Sequence, residues 1–410
     1  MIGANPDELA ALAAAIDNLG QTLEGRRREL TSALHSTAWK GSDAERFLGE
    51  WDQRHSLALT AVVALLGGMS KQLRFEARQQ TDASAANGAG APGPGPGPGT
   101  ASGLTPAEAM TQLDQQNRQK LDADIRNLAQ QLAQHETSDP AATLRQLMGL
   151  VAIKEQLDTP NRYLLSFDTE GPNGGHVVMS VGNPATAKNV TTFVPGFGST
   201  TAKIGGDMGY ATNITAAADQ ATGAANNATI VWLGYDAPQG VDVATSGDAQ
   251  AGAAGLSDFL AQMKAGNPGA HYVVEGHSYG SVVVGWAAHQ PQGLSASDVI
   301  LVGSPGVPAT SAGDFGVADG HLFVGERGGD PVPAAGNVSM VDFNGHLYPA
   351  GPLGLDPVNL PGAVHFDAGN DWNPLDNPLD KHSQYWDWNS TQLDNQARII
   401  TGTASPTTTG

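Results

Sequence analysis

The sequence contains no cysteine and few charged residues. Because cysteine is absent from all 410 residues, disulfides, thiol catalysis and zinc sites built on thiolates are excluded. Charged residues make up only 15% of the chain, and acidic residues outnumber basic ones so far that the formal net charge is −20. A surface of that sign repels phosphate backbones and anionic lipid headgroups, so nucleic acid is not an expected partner. Uncharged substrates such as esters are unaffected.

The usual targeting signals are missing as well. The first ten residues, MIGANPDELA, have neither the basic segment nor the apolar segment of a signal peptide. No apolar run reaches about 18 residues, so no transmembrane segment is predicted. We expect a protein that is either cytoplasmic or exported to the cell envelope by a route that reads no signal peptide.

The residues that are present divide the chain into five segments. Leucines recur at helical spacings near the N-terminus, a Gly/Pro-rich stretch follows, and a capping box beginning at Thr105 opens a second helical region. The predicted segments are a helical hairpin (1–82), a flexible linker (83–103), a helical lead-in (104–160), a domain of strands and helices (161–402) and a disordered tail (403–410).

Beyond residue 160 the hydrophobic period changes, and short β-rich runs alternate with helical stretches. This alternation predicts βαβ units, hence an α/β fold with a mainly parallel sheet and flanking helices. Helices are expected at about 201–225, 248–265 and 279–289. The predicted strands are Tyr163–Phe167, Val177–Val181, Val190–Val194, Thr229–Leu233, His271–Val274, Val299–Val302 and His321–Val324.

The pattern G-x-S-x-G, at Gly276–Gly280, follows the predicted strand His271–Val274 and opens the helix predicted at about 279–289. A serine at such a strand-to-helix turn is exposed for nucleophilic attack, and bulky residues on either side would clash there. We therefore predict that Ser278 is the nucleophile of a serine hydrolase. A serine hydroxyl is a poor nucleophile at neutral pH, so it needs a histidine base that is oriented by a carboxylate.

Chain order in this kind of fold places the acid after the serine and the histidine last. We predict Asp330 as the acid, because it follows a strand within a Gly-rich turn, whereas Asp314 and Asp319 precede that strand. The expected base is His382, in a late loop before the last helix.

Two other histidines remain alternatives for the base. His365 is expected within a strand, and His346 follows a turn glycine. His277 is adjacent to the serine, so its side chain should diverge from it and support the turn.

An oxyanion hole requires two N–H donors. The first is expected to be the backbone N–H of Tyr279, the residue after the nucleophile. The second should come from the loop after an earlier strand, where Phe197 is the preferred donor and Gly198 the alternative. The histidines and aspartates of the last third show no metal-ligand spacing, so neither a metal nor a cofactor is expected.

These residues belong to a longer series of ordered matches, through which residues 105–402 resemble an actinobacterial family of α/β-hydrolases of unassigned function. The resemblance implies an α/β-hydrolase fold and a Ser–Asp–His triad, but no substrate. The matching pieces are Asn117–Arg118, Leu164–Asp168, Val194–Thr200, Trp232–Asp236, Gly276–Ser281, Gly303–Gly306, Asp330–Val332 and His382–Tyr385.

The N-terminal hairpin resembles the WXG-type helical hairpins of type VII secretion, with Trp39–Gly41 at the expected turn. The region Leu73–Gln79 lacks the tyrosine that usually follows the second helix of such proteins. The resemblance implies a helical partner for the hairpin and a possible export route.

The combined expectation is an ester hydrolase of the lipase or esterase kind that acts on a small-molecule or lipid ester through an acyl-enzyme. One alternative is a catalytically inactive hydrolase fold that serves as an interaction protein linked to type VII secretion, since fold does not imply function. Another is a thioesterase, amidase or acyltransferase that uses the same triad.

Overall fold

The computed structural model describes residues 21, 24–37, 40–52, 104–134, 136–336, 340–341, 347–348, 353–370 and 378–403. The chain forms two compact units, one comprising Met1–Gly93 with Gln239–Gly247 and the other Pro94–Pro238 with Asp248–Gly410. Within the described residues, no helix has both the length and the apolar character needed to span a membrane. The predicted linker at 83–103 and most of the predicted tail lie outside the described residues.

The first unit contains a helix α1 over residues 24–36 and a helix α2 over Ser42–Glu50. Trp51, just after α2, donates its indole N–H to the Thr31 hydroxyl of α1 at 3.0 Å. His35 and Asp52 make a second link between the two helices, also at 3.0 Å. Trp39, the predicted turn residue, lies outside the described residues, so the WXG-type resemblance stays a prediction.

The second unit opens with two helices, α3 (Pro106–Gln134) and α4 (Pro140–Leu157). The predicted capping box is present, since Thr105 and Glu108 exchange hydrogen bonds at the start of α3. Asn117 of α3 donates to the carbonyl oxygens of Leu164 and Leu165 at 2.9 and 2.7 Å, so the lead-in is bound to the first strand. Polar side chains of α3 thus satisfy backbone groups that an edge strand leaves unpaired.

An eight-stranded sheet forms the centre of this unit, in the order β1-β2-β4-β3-β5-β6-β7-β10. Strands β1 and β2 are antiparallel to each other, and β2 is antiparallel to β4, whereas all other pairs are parallel. Strands β8 and β9 form a separate antiparallel pair. The strands are β1 (Arg162–Phe167), β2 (Val177–Val181), β3 (Asn189–Val194), β4 (Asn227–Leu233), β5 (His271–His277), β6 (Asp298–Val302), β7 (Leu322–Gly325), β8 (Met340–Val341), β9 (Leu347–Tyr348) and β10 (Val364–His365).

The inner strands are buried on both faces, as apolar runs in a mainly parallel sheet require. All seven strands predicted from the sequence are present, and so are the three helices predicted beyond residue 200. The remaining helices are α5 (Ile204–Thr222), α6 (Gly247–Gly266), α7 (Tyr279–Ala288), α8 (Pro331–Gly336), α9 (Pro378–Lys381) and α10 (Thr391–Thr401). Because β3, β5, β6 and β7 are parallel, their carboxyl ends meet at one edge, which is where sites form in open α/β sheets.

Candidate active site

Ser278 stands at the turn between β5 and α7. Its backbone has φ 53° and ψ −130°, a conformation that a residue with a side chain rarely adopts and that is characteristic of functional sites. The turn tolerates no side chain at Gly280, because a Cβ there would overlap the carbonyl oxygen of Val194. The Ser278 N–H donates to the Val302 carbonyl oxygen at 3.0 Å, which fixes the turn to β6. The G-x-S-x-G pattern therefore forms a strained strand-to-helix turn at the carboxyl edge.

The predicted acid and base lie side by side. Asp330 follows β7, His382 follows α9, and His382 Nδ1 is 3.0 and 2.9 Å from the two carboxylate oxygens of Asp330. Because a carboxylate only accepts hydrogen bonds, Nδ1 of His382 is the nitrogen that donates to Asp330. Burial acts to raise the pKa of Asp330, but the bonds from His382, from the Val332 N–H and from Tyr385 outweigh it and lower that pKa.

Tyr385, for which the sequence predicts no role, contacts the Asp330–His382 pair. Its hydroxyl donates to Asp330 Oδ2 at 2.7 Å and accepts the Arg327 backbone N–H at 3.0 Å. Tyr385 is fully buried, and burial raises its pKa well above the usual value, so it stays a donor. The only signal in the sequence was its place in the matched piece His382–Tyr385.

His277 connects the base to the nucleophile turn. Its Nε2–H donates to the backbone carbonyl of His382 at 2.8 Å, and the two imidazole rings lie 4.6 Å apart. Burial first, and the neighbouring His382 second, lower the pKa of His277 to about 3, so it remains neutral. The His277 side chain therefore holds the segment that carries His382, the predicted base. Between the described residues Ser278 and His382 no side-chain hydrogen bond is formed.

The loop after β3 closes over the same turn. A Cβ placed on Gly196 would lie 2.8 Å from Ser278 Cβ and 2.9 Å from the backbone nitrogen of Tyr279. Tyr279 is the first residue of α7, so its N–H belongs to the electropositive end of that helix. The Gly198 N–H is already engaged, because it donates to the Pro238 carbonyl oxygen at 2.9 Å. This bond favours Phe197, which follows Gly196, over Gly198 as the second oxyanion donor.

The other predicted alternatives lie elsewhere. Asp314 accepts hydrogen bonds from Thr310 and Ser311 in a short turn before β7. His365 lies in the strand β10, as the sequence predicted, and its side chain is exposed. It lines a cavity of about 350 Å³ beside Glu326. His346 lies outside the described residues. Among the residues that the structure describes, no group of three His, Asp or Glu side chains is arranged to hold a metal ion.

A buried acid lies behind the nucleophile turn. Glu275 of β5 is fully buried, and its Oε1 accepts the indole N–H of Trp386 at 2.7 Å. Burial raises the pKa of Glu275 to about 8. Trp386 in turn packs edge-on against His277, with ring centroids 4.8 Å apart. The signal that the sequence offers for Glu275 is a charged residue type directly after the apolar run Tyr272–Val274.

Known proteins are similar to this chain in sequence. The sequence model of a family described as alpha/beta hydrolase matches residues 171–340. An uncharacterized protein of Mycobacterium bovis is 30% identical over 255 residues, which cover 58% of this chain and 88% of that protein. The chain belongs to the alpha/beta hydrolase family.

Other similarities are partial. An uncharacterized protein of Mycobacterium tuberculosis H37Rv is 32% identical over 261 residues, and the chain spans only 39% of its length. A solved α/β serine hydrolase without a lid from Xanthomonas campestris has 16% identity and a TM-score of 0.26, over 56% of this chain and 94% of that one. A Pyrobaculum calidifontis esterase has 12% identity and a TM-score of 0.32, over 67% and 96%. These two structures add nothing to the assignment of function.

Proposed function

We propose that this protein is a serine hydrolase that cleaves carboxylic esters, with Ser278 as nucleophile, His382 as base and Asp330 as the acid that orients the base. The observation that carries the proposal is the hydrogen-bonded Asp330–His382 pair at the edge of the sheet where the strained Ser278 begins a helix. A pair that only stabilised the fold could form anywhere in the domain, whereas this pair lies at the edge of the sheet that carries the strained turn.

In the proposed reaction, Ser278 Oγ attacks the ester carbonyl while His382 Nε2 takes its proton. The imidazolium that forms is stabilised by Asp330, whose position is set by the Tyr385 hydroxyl at 2.7 Å. His382 then protonates the leaving alcohol, and water repeats the sequence to release the acid and restore Ser278. The hydrogen bond between Ser278 and His382 that this step requires forms in the complex with substrate, since catalytic hydrogen bonds often tighten only there.

The developing oxyanion is held by the backbone N–H groups of Tyr279 and Phe197. No hydrogen bond is made by the Phe197 N–H within the described residues, whereas that of Gly198 is engaged. The Phe197 side chain is 51% exposed, which leaves an apolar surface next to the reacting carbonyl. With a net charge of −20, the chain favours an uncharged ester over an anionic one.

The test is covalent labelling and turnover. A fluorophosphonate probe should label the wild-type protein, and Ser278→Ala should abolish labelling and reduce hydrolysis of short p-nitrophenyl esters by about 10³-fold or more. Ser281→Ala is the matched control. Ser281 lies on the same helix, but its hydroxyl bonds to the Ser278 carbonyl oxygen and to the Ser304 hydroxyl, so it is not positioned as a nucleophile. An unlabelled, inactive wild-type protein would favour the inactive-scaffold alternative. Activity on thioesters or amides, but not on esters, would replace the substrate class and keep the triad.

A further inference from the structure

Two aspartates of the matched sequence pieces flank a histidine at the carboxyl edge of the sheet, away from the triad. His176 Nδ1 lies 3.1 and 3.0 Å from the carboxylate oxygens of Asp168, which follows β1. Its Nε2 lies 3.8 Å from Oδ1 of Asp236, which follows β4, at the distance of an ion pair rather than a hydrogen bond. Asp168 first, and Asp236 second, raise the pKa of His176 to about 10, and the His176 ring bridges the two carboxyl groups.

The His176 bridge fastens the β1–β2 loop to the segment that leaves β4. Asn173, in that loop, donates its side-chain amide to the Ala237 carbonyl oxygen at 2.9 Å. The loop passes over Asp236 so closely that a Cβ on Gly171 would lie 2.6 and 2.7 Å from the carboxylate oxygens. Oδ1 of Asp236 is buried and has no hydrogen-bond partner among the described residues, and His176 Nε2 at 3.8 Å is the cationic group that faces it.

The segment after β4 in turn holds the loop that carries the oxyanion donor. The buried Tyr235 hydroxyl donates to the Pro195 carbonyl oxygen at 2.7 Å. The Gly198 N–H donates to the Pro238 carbonyl oxygen at 2.9 Å. These two bonds hold the loop after β3 at Pro195 and at Gly198, on either side of Phe197. Their partners are Tyr235, which directly precedes Asp236, and Pro238, which lies two positions after it.

We infer that Asp168, His176 and Asp236 are positioning residues for the oxyanion hole, acting through the segment after β4 and its bonds to Pro195 and Gly198. The inference rests on the proposed function. An oxyanion donor must lie about 2.7–3.1 Å from the oxygen it stabilises. A small displacement of the segment after β4 would therefore move the Phe197 N–H and weaken its stabilisation of the transition state. The same displacement leaves ground-state binding of the substrate nearly unchanged.

The experiment compares two histidines in the full-length protein. His176→Ala removes the bridge, and His321→Ala is the control, because His321 also pairs with a carboxylate, Asp298, but at the opposite edge of the sheet. For each variant, kcat and KM on a p-nitrophenyl ester, the affinity for a trifluoromethyl ketone analogue of that ester and the thermal midpoint are measured. Asn173→Ala, which removes only the bond to Ala237, gives a milder second variant if His176→Ala does not fold.

We expect His176→Ala to lower kcat about tenfold or more, part of the 10²–10³-fold that loss of a whole oxyanion donor costs. Affinity for the ketone should fall by a similar factor, because its adduct carries the oxyanion, whereas KM should change less than threefold. Asn173→Ala should shift the same quantities in the same direction. His321→Ala should leave them within about twofold.

Two other outcomes overturn the inference in distinguishable ways. If the wild-type protein hydrolyses esters and folded His176→Ala and Asn173→Ala keep the kcat and ketone affinity of the His321→Ala control, the bridge only stabilises the fold. If the wild-type protein neither hydrolyses an ester nor reacts with fluorophosphonate, the proposed function fails, and the positioning role fails with it.

Discussion

The two edges of the central sheet use the same chemical pair in different ways. At the carboxyl edge, Asp330 pairs with His382 from a separate segment, beside the strained Ser278. At the amino edge, the buried Asp298 at the start of β6 binds two histidines, His271 at the start of β5 and His321 just before β7.

The difference lies in what surrounds each pair. The amino-edge histidines are close to adjacent strand ends, where their distances are set by the sheet itself, and none of the three residues has a strained backbone. The carboxyl-edge pair is assembled from loops that are far apart in sequence and held by Tyr385 and His277. A histidine–carboxylate pair is therefore a candidate for the acid and base of a catalytic triad when a nucleophile turn and supporting hydrogen bonds accompany it, as they do at Asp330 and His382.

The largest expected effect comes from making the same substitution at both edges. Asp330→Asn should lower kcat by about 10³–10⁴-fold, because an amide can donate to Nδ1 and so favours the wrong tautomer of His382. Asp298→Asn should keep activity within about threefold and instead lower the free energy of unfolding. Ester hydrolysis and urea denaturation of the two variants make the comparison directly.

The comparison would break if the two acids behaved alike. A fully active, folded Asp330→Asn protein would remove Asp330 from the triad. His382→Ala serves as a second check, since combining it with Ser278→Ala should cost little more than Ser278→Ala alone, as members of one catalytic unit are not additive.

The strands, the strand-to-helix turn at Ser278 and the meeting of Asp330 with His382 could be predicted, because each depends on local patterns or on chain order. The catalytic roles of these residues stay a prediction. Strand periodicity is set by burial, and the turn glycines leave a recognisable spacing around Ser278. The hydrogen bond from His277 to His382 could not be predicted, since it joins residues 105 positions apart through a loop without a regular pattern.

The His176 bridge shows the same limit. Asp168 and Asp236 were visible in matched sequence pieces, but their meeting depends on β2 pairing with both β1 and β4 in antiparallel register. Strand order in a sheet results from packing of the whole domain, so the sequence alone offered no reason to place His176 between them.

The next expected effect concerns Glu275, which lies within the sheet between the two edges. Since burial raises its pKa to about 8 in the folded protein, the folded state binds more protons than the unfolded state between about pH 4.5 and 8. Stability should therefore fall as pH rises through this range. Glu275→Gln removes the titration, and above pH 8 we expect the variant to be more stable than the wild type by up to about 5 kcal/mol, at about 1.4 kcal/mol for each unit by which the pKa is raised.

Urea denaturation of Glu275→Gln and wild type at pH 5 and pH 8.5 measures this effect. The variant should keep ester hydrolysis within about threefold, because a glutamine carbonyl can still accept the Trp386 indole N–H. A stability difference that is the same at both pH values would mean that Glu275 does not titrate in this range. A large loss of activity would instead place Glu275 among the groups that hold His382.

The smallest expected effect has the opposite dependence on pH and belongs to the amino edge. Asp298 first, against the effect of burial, raises the pKa of His271 above its usual value. A raised histidine pKa stabilises the fold fully below the unfolded pKa of about 6.5, and that stabilisation is lost as pH rises through the folded pKa. His271→Gln should therefore be less stable than wild type by about 1 kcal/mol at pH 5.5, and the difference should shrink toward pH 9. The size is modest because the side chain is 31% exposed and the pair is partly screened by solvent.

Urea denaturation at the two pH values tests the prediction, and ester hydrolysis by His271→Gln should match wild type within about twofold. A difference independent of pH would show that His271 acts through its bond to the Ile400 carbonyl oxygen rather than through its charge. A loss of activity that exceeds the loss of stability would show that the two edges are coupled, and the contrast between them would no longer hold.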